Sequence, residues 1–466
     1  MKNKNIISLL LIALTFASCD LVGDIDSIEP QYQLEEKDVV TNAESAELLM
    51  RGVYKAWRAW DIGAFRAHGS TLIGSFNIGY VNGREGFADN TVQPNNITVT
   101  NLYTQLYTVV NTANMLLAQL DAGKAPDIDE VRRAEMLAEC RLHRSMAWFT
   151  LLRYYGQFYD LDSKLGVVIN EIPYRNEPKV YARATVKETY DKMMVDVAFA
   201  IENLPATTEP YYLSAPLAMA VKAKLLLFMQ KYPEAEIAAQ EAIDAALAAD
   251  YSLESAYGNI FTNGYNSREV LFAPYTMGFK EFVQIPFKQM TYSNYTRTLS
   301  DMLPDGAVDG SIVDSRFSVT FPAGSTPLGK YPYEDNVPDT RGNTHFFMRL
   351  AEVYLIHAEA AARNSHFAAA RASLQTILTR AEYDADAADN IANADLLEAI
   401  REHKWVELMG ENNEPWSDVV RYFAEGNLNM GDVTAIKATL KKETQFILPI
   451  PESALAGNNL LVQNPQ

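Results

Sequence analysis

The sequence predicts a mainly α-helical protein: a superhelix of tetratricopeptide-type helical hairpins, interrupted by long loop-rich insertions with a few short strands. Three observations lead there. The segments APLAMAVKAKLLLFMQKYPEAEIAAQEAIDAAL and MRLAEVYLIHAEAAARNSHFAAARASLQTIL superpose at a shift of 135 residues, so that Ala223, Tyr232, Ala235 and Ala242 fall on Ala358, Phe367, Ala370 and Ile377. Each reads as a helix, a short turn, an aromatic residue and a second helix opening on alanine, with small residues letting antiparallel helices approach closely. Apolar residues recur at helical spacing through much of the remaining chain. Between the two repeats, residues 251–345 are instead dense in Tyr and Phe and punctuated by Gly and Pro.

The chain opens on MKNKN, with Lys2 and Lys4, followed by IISLLLIALTFA and the small residues Ala17 and Ser18. A basic segment, a short apolar core and small residues describe an export signal over 1–18. The run is too short for the roughly 20 residues that span a bilayer. Cys19 at the cut point suggests a lipobox, in which the thiol is diacylated; each buried CH2 is worth about 0.8 kcal/mol, enough for stable membrane attachment. Phe16 stands where such a box usually has Leu. Residues 19–40 are acidic and aperiodic, a tether. Residues 41–466 then read as a single domain, with an N-terminal half of about 41–215 and a C-terminal half of about 216–466.

Helical patterning begins at TNAESAELLMRGVYKAW, where Thr41 or Asn42 can cap the first turn. Residues 61–100 are rich in Gly and Asn and are expected to interrupt the helices. Helix returns in LYTQLYTVVNTANMLLAQL, in IDEVRRAEMLAECRLHRSMAWFTLLRYYGQF, and in ATVKETYDKMMVDVAFAIENL, which stops at Pro205. The first repeat follows, with Pro233 suited to the opening turn of its second helix. In the aromatic excursion, REVLFAPYTM and EFVQIPF are candidate strands. A loop-rich excursion of this length on a helical scaffold points to function.

Composition excludes some functions. A 48% hydrophobic fraction supplies an ample core, and a net charge of −19 repels phosphates, which argues against nucleic-acid binding. Apart from Cys19 the only thiol is Cys140, so the fold rests on burial and not on disulfides. The six histidines form no H-E-x-x-H pair, and no nucleophile elbow, phosphate loop or calcium-loop spacing is present. His357 reads as a packed or rim residue and Cys140 as a small buried hydrophobe. No catalytic residue, cofactor or metal is expected.

From Met348 onward the sequence resembles the SusD/RagB family of Bacteroidetes outer-membrane lipoproteins. Arg349, Leu350, Ala351, Glu352, Tyr354, Leu355, Ala358, Glu359 and Ala360 match its RLAE-x-YL-x-x-AEA helix, and FILPIPESALAGNNLLVQNPQ matches its closing pattern. Glu139, Arg141, Arg144, Tyr154, Tyr155 and Gly156 match its helix ending in Tyr-Tyr-Gly. In AIREHKWVELMGENNEPWSDVVRYF, His403 and Lys404 replace the usual Glu-Arg pair, while Glu407, Leu408, Glu411, Trp416, Asp418 and Arg421 still match. The resemblance implies a SusD-like fold and a non-enzymatic surface lipoprotein. Its partner would be a SusC-like TonB-dependent transporter, over which it sits as a lid, and its ligands oligosaccharides, or peptides in a RagB-like minority. Acidic residues after the lipidated cysteine, here Asp20, accompany surface export in that family.

Ligand residues follow no family motif, so the candidates come from chemistry. Aromatic rings stack under the C–H face of a sugar, while Asn, Asp, Arg and Gln bond its hydroxyls. Trp148, Trp405 and Trp416 are expected in the core. Trp60, where the first helix ends, is the best exposed candidate, followed by Tyr80 and Arg84 and by Tyr292, Tyr295 and Arg297 in TYSNYTRT. Other readings of the whole chain are a periplasm-facing tetratricopeptide scaffold lipoprotein and a glycan hydrolase, whose paired carboxylates would be a spatial and not a sequence feature.

Overall fold

The computed structural model describes residues 39–74, 77–78, 82–174, 179–276, 290–291, 314–320, 329–330 and 346–466. Helix α1 (Ala43–Ala56) is capped by Asn42, whose side chain accepts from the Ser45 N–H while Ser45 returns the bond, a reciprocal capping box. Helix α2 (Trp60–Leu72) follows. The long antiparallel helices α3 (Ile97–Asp121) and α4 (Glu130–Tyr155) then pack with α5 (Val186–Asn203).

The repeat expected from the sequence holds to the residue up to the start of the second helix, which is 17 residues long in the first hairpin and 14 in the second. Helices α6 (Ala215–Phe228) and α7 (Tyr232–Ala248) form the first hairpin, and α8 (Leu350–Arg363) and α9 (Phe367–Arg380) the second. Gln230 and Ser365 occupy equivalent turns with φ of +59° and +63°. In each turn the next N–H reaches back to the helix, Lys231 to the Leu226 carbonyl at 3.0 Å and His366 to the Ala361 carbonyl at 2.8 Å. These are Schellman closures made without glycine. The second helices close the same way, with Asp250 and Glu382 left-handed and a buried Tyr251 or Tyr383 next. Helices α7 and α8 pack on each other, which stacks the hairpins into one layer.

The Gly/Asn-rich stretch corrects one expectation, since residues 61–72 and 97–100 of it are helical. Tertiary contacts override the weak propensity. Arg66 donates to the Phe346 carbonyl at 2.9 Å, and Ser70 donates to Asn413 at 3.0 Å. A Cβ on Gly69 would fall within 2.0 Å of the Asn413 amide, so glycine permits this close approach.

The strands are few and short among the described residues. Strand β1 (Asn77–Ile78) pairs antiparallel with β3 (Met290–Thr291), and β2 (Val270–Phe272) with β4 (Met348–Arg349). The REVLFAPYTM strand is therefore present, while EFVQIPF lies outside the described residues. The β2–β4 pair closes the base of the aromatic excursion, over a small core of Tyr257, Ile260, Phe261, Tyr265 and Phe346. The main core runs from α2 through α9 into the helices at 396–408 and 414–424, and contains Trp148, Trp405 and Trp416.

The charged residues of the RLAE-type helix point inward. Arg349 binds Glu269, Glu407 (3.0 Å) and Glu411 (2.7 Å), and Arg380 shares Glu269 and Glu407. Lys224 bridges Glu352 (2.5 Å) and Glu414 (2.7 Å), and Arg153 meets the same Glu414 at 2.9 Å. Arg421 joins Glu359 and Asp418, each at 2.8 Å. These pairs staple α8 to α10 (Leu396–Leu408), α11 (Glu414–Ala424) and α6. Lys404 fits this seam by pairing with Asp418 at 2.9 Å. His403 lies buried with Nδ1 3.0 Å from Arg316, and burial pushes its pKa down to about 3. The neutral ring accepts from Arg316, whose charge is met by Asp314 at 2.6 Å.

The chain end locks onto the Tyr-Tyr-Gly helix. Gln463 exchanges two bonds with the backbone of Ile450, and Asn464 donates to the carbonyls of Tyr155 (2.9 Å) and Leu448 (2.6 Å).

Candidate functional site

Of the residues singled out from sequence, Cys19, Tyr80, Tyr292, Tyr295 and Arg297 lie outside the described residues. Trp60 and Arg84 are described. Trp60 opens α2 with 37% of its surface exposed, and the helix start is held by Asn101 donating to Asp61 at 2.8 Å. Arg84 is exposed in a loop shaped by Asn96, whose amide donates to the carbonyls of Gly83 (3.0 Å) and Glu85 (3.1 Å). The backbone pairs Asn77–Thr291 and Ile78–Met290 join two stretches far apart in the chain. Their separation in sequence conceals that meeting.

Sequence reasoning missed another feature, a ledge of tyrosines that leans on α1. Tyr212 is 44% exposed and meets Tyr54 edge-on, with ring centres 5.3 Å apart. Tyr211 contacts Tyr212 (5.0 Å), Tyr265 (5.4 Å) and Tyr275 (4.9 Å), and Tyr265 stacks on Tyr275 at 5.7 Å. Two buried hydroxyls fix the ledge. Tyr54 donates to Glu139 at 2.8 Å and accepts from the Leu213 N–H at 3.1 Å, tying 211–213 to α1. Tyr265 donates to the Pro274 carbonyl and accepts from the Thr276 N–H, both at 2.8 Å, tying 274–276 in place. The half-buried Arg58 stands within electrostatic reach of the Tyr265 and Tyr275 phenols, and burial lowers its pKa.

The hydroxyls of Tyr211, Tyr212 and Tyr275 make no hydrogen bond to described residues. The ledge therefore presents ring faces, free phenol hydroxyls and a cation together. That combination suits a ligand with apolar faces and many hydroxyls. The one signal in the sequence was the Tyr211–Tyr212 doublet after Pro210.

Among the described residues Cys140 and the histidines other than the exposed His366 are packed away. His68, His143 and His357 are buried with lowered pKa values, chiefly by desolvation, His143 to about 3. His143 accepts from the Trp57 indole at 2.8 Å and His357 bonds Ser373 at 2.8 Å, the packed role expected for His357. Cys140 is buried, as expected, and its thiol is pushed well up by desolvation. Among the described residues no group of three His, Cys, Asp or Glu could hold a metal ion, and no helix is long and apolar enough to cross a membrane.

Two family models match the chain. Residues 228–466 match the SusD family, and residues 68–228 match a family described as starch-binding associating with outer membrane. Among solved structures, a SusD superfamily protein from Bacteroides thetaiotaomicron aligns with a TM-score of 0.75 at 21% identity, covering 91% of this chain and 100% of its own. A putative sugar binding protein from Bacteroides vulgatus aligns at 0.73 and 21%, covering 92% and 99%. A laminarin binding SusD-like protein aligns at 0.68 and 20%, covering 91% and 99%. Among curated proteins no relative matches the sequence.

Proposed function

The chain belongs to the SusD family, and from that premise we propose that it is a non-enzymatic, lipid-anchored surface protein that captures oligosaccharides for a SusC-like TonB-dependent transporter. The observation that carries the proposal is the tyrosine ledge, with Arg58 beside it and Trp60 exposed on the neighbouring helix. Sugar rings stack on such rings, and phenol and guanidinium groups take up the hydroxyls. In this reading Cys19 carries the acyl chains, 19–40 is the tether, and residues 41–466 form one SusD-like lid on the outer face of the outer membrane. The names of two aligned structures, one sugar binding and one laminarin binding, agree with a glycan ligand.

Calorimetry against a panel of neutral glycans and of peptides tests the assignment. Glycan binding that Tyr212→Ala weakens tenfold or more supports it. Binding of peptides alone moves the chain to the RagB-like class, an outcome to which the scarcity of exposed tryptophan lends some weight. Release of reducing ends from the panel contradicts a pure binding role. Complete protease protection on intact cells contradicts surface exposure.

A further inference from the structure

A cavity of about 610 Å³ lies where α7 meets α8 and the turn that leads into α9. That volume falls in the range of roughly 300–1,000 Å³ typical of small-molecule sites. Its walls come from α7, from His357 on α8 and from Asn364 and His366 in the turn. These stretches are described without a break, over 179–276 and 346–466. None of the lining residues belongs to the tyrosine ledge, and none is Lys or Arg.

The α7 wall is a row of acceptors along an aliphatic strip. Glu236, Gln240, Glu241 and Asp244 share one face of the helix. At a rise of about 1.5 Å per residue, Glu236 and Asp244 are about 12 Å apart along the axis. Ile237 lies among them with 62% of its surface exposed, and Pro233 extends the apolar strip. Glu236 is fixed by the turn, accepting from the Asn364 amide at 2.6 Å and meeting His366 Nδ1 at 2.9 Å. Against desolvation, those two partners hold its carboxyl below the usual range. Asp244 accepts from Gln240 at 2.8 Å, and the Glu241 side chain pairs with no described residue.

His357 adds an independent feature. It is only 6% exposed, and it lies within electrostatic reach of Glu236 and Asp244. Its Nδ1 is 2.8 Å from the Ser373 hydroxyl on α9, while its Nε2 hydrogen-bonds no described residue. Burial lowers the pKa of the ring, which is therefore neutral near pH 7. With Nδ1–H donated to Ser373, Nε2 is a spare acceptor among carboxylates. An unpaired atom in so buried a ring calls for a donor.

Carboxylates at intervals, an aliphatic strip between them and no competing cation in the wall select for ammonium groups spaced along a methylene chain. We propose that this cavity binds an aliphatic polyamine, with one ammonium donating to Glu236 and His357 Nε2, another to Glu241 and Asp244, and the methylenes lying on Ile237. A sugar has nothing to stack on here, because no Tyr, Phe or Trp lines the cavity. A bare metal ion does not fit either, since among the described residues no group of three His, Cys, Asp or Glu could hold one. The inference is independent of the glycan reading.

The test is calorimetry of the full-length protein with spermidine, butylamine, magnesium chloride and the peptide Lys-Lys-Lys. Wild-type protein should bind spermidine at least about tenfold more tightly than butylamine, and equimolar magnesium should not displace it. Glu241→Gln combined with Asp244→Asn should weaken spermidine binding about tenfold, as expected for the loss of two exposed ion pairs. Ile237→Lys places an ammonium in the cavity from an exposed position, so it should abolish binding with the thermal midpoint unchanged. In NMR spectra spermidine should move the His357 ring nitrogen resonances and leave those of the buried His143 in place, which general charge screening would not do. Tyr212→Ala should leave spermidine binding intact. Displacement by magnesium, wild-type affinity in the α7 variants, unmoved His357 resonances or no binding to wild type overturns the proposal. Tighter binding of Lys-Lys-Lys than of spermidine also overturns it, and makes the cavity a docking point for a lysine-bearing chain.

Discussion

Arg349 Nη1 lies 3.0 Å from Glu407 Oε1, and neither side chain has any exposed surface. The same guanidinium reaches Glu269 and Glu411, so three carboxylates converge on one cation at the junction of β4, α8 and α10. Such a seam costs desolvation to assemble, and its net worth against apolar packing is small. Removing Arg349 is another matter: Arg380 still meets Glu269 and Glu407, and Lys330 still meets Glu411, but three buried carboxylates are left short of a cation. Arg349→Met should destabilise the fold by about 3–5 kcal/mol, read as a shift of the urea midpoint. Arg349→Lys should also destabilise it, since one ammonium cannot reproduce the forked contacts.

The buried carboxylates also set the pH dependence of stability, and they act in opposite directions. Glu359 and Glu414 are held near about 2, by Arg421 and Arg363 in the first case and by Arg153 and Lys224 in the second, each against desolvation. A depressed folded pKa gives stability that is complete above the unfolded value of about 4.3 and is lost as pH falls toward 2. Glu139 is the reverse. Burial, only partly offset by Arg132 and Tyr54, raises it to about 7. Its contribution is full below about 4.3 and is lost as pH rises through 7. The thermal midpoint should therefore peak near pH 5, dropping steeply in acid and gently toward pH 8. Glu139→Gln should make the gentle limb shallower and leave the acid limb in place, since Asp196, Glu352 and Glu425, also raised by burial, keep their share of it. A gentle limb of unchanged slope in Glu139→Gln would contradict the assignment.

Cys140 sits in a small core with Met50 and Leu116, and its sulfur lies 3.9 Å from the Met50 sulfur. Desolvation pushes the thiol well above its ordinary pKa, with Glu139 adding to the effect. Thiolate is the reactive form, so Cys140 should resist a thiol reagent at pH 8 in native protein and react within minutes in denaturant. Fast native labelling would show that α4 opens locally.

How much of this was legible in the sequence depends on where each feature keeps its partners. The hairpins were, because Ala223 and Tyr232, and Ala358 and Phe367, carry their spacing within one local unit. Helix α2 was not, because Gly69 and Arg66 are helical on account of Asn413 and Phe346, hundreds of residues away. Charges such as Glu352, Glu359 and Arg421 stood out as a motif, yet the motif says nothing of burial until Lys224 and Asp418 are placed against them. Tyr265 and Tyr275 were visible only as members of an aromatic-rich excursion. Their convergence with the Tyr211–Tyr212 doublet is a tertiary fact. Among the sequence-based candidates, Trp60 is exposed as expected, and its part in binding is a matter for Trp60→Ala.

The tyrosine ledge allows stability and affinity to be separated at two neighbouring residues. Tyr54 is the inner support, with its hydroxyl donating to Glu139 and accepting from the Leu213 N–H. Tyr54→Phe keeps the ring against Tyr212 but leaves the Leu213 N–H unpartnered, at about 1–3 kcal/mol when buried, and leaves Glu139 with Arg132 alone. It should lower the thermal midpoint measurably. Because it loosens 211–213, it should also weaken glycan binding, by a few-fold. Tyr212 is the outer face, nearly half exposed, its hydroxyl hydrogen-bonded to no described residue. Tyr212→Ala should leave the midpoint within about 1 °C, as expected for a surface change of at most ~0.5 kcal/mol, while reducing glycan affinity tenfold or more. If the two variants instead lose stability and affinity in the same proportion, the ledge is packing, and the ligand binds elsewhere.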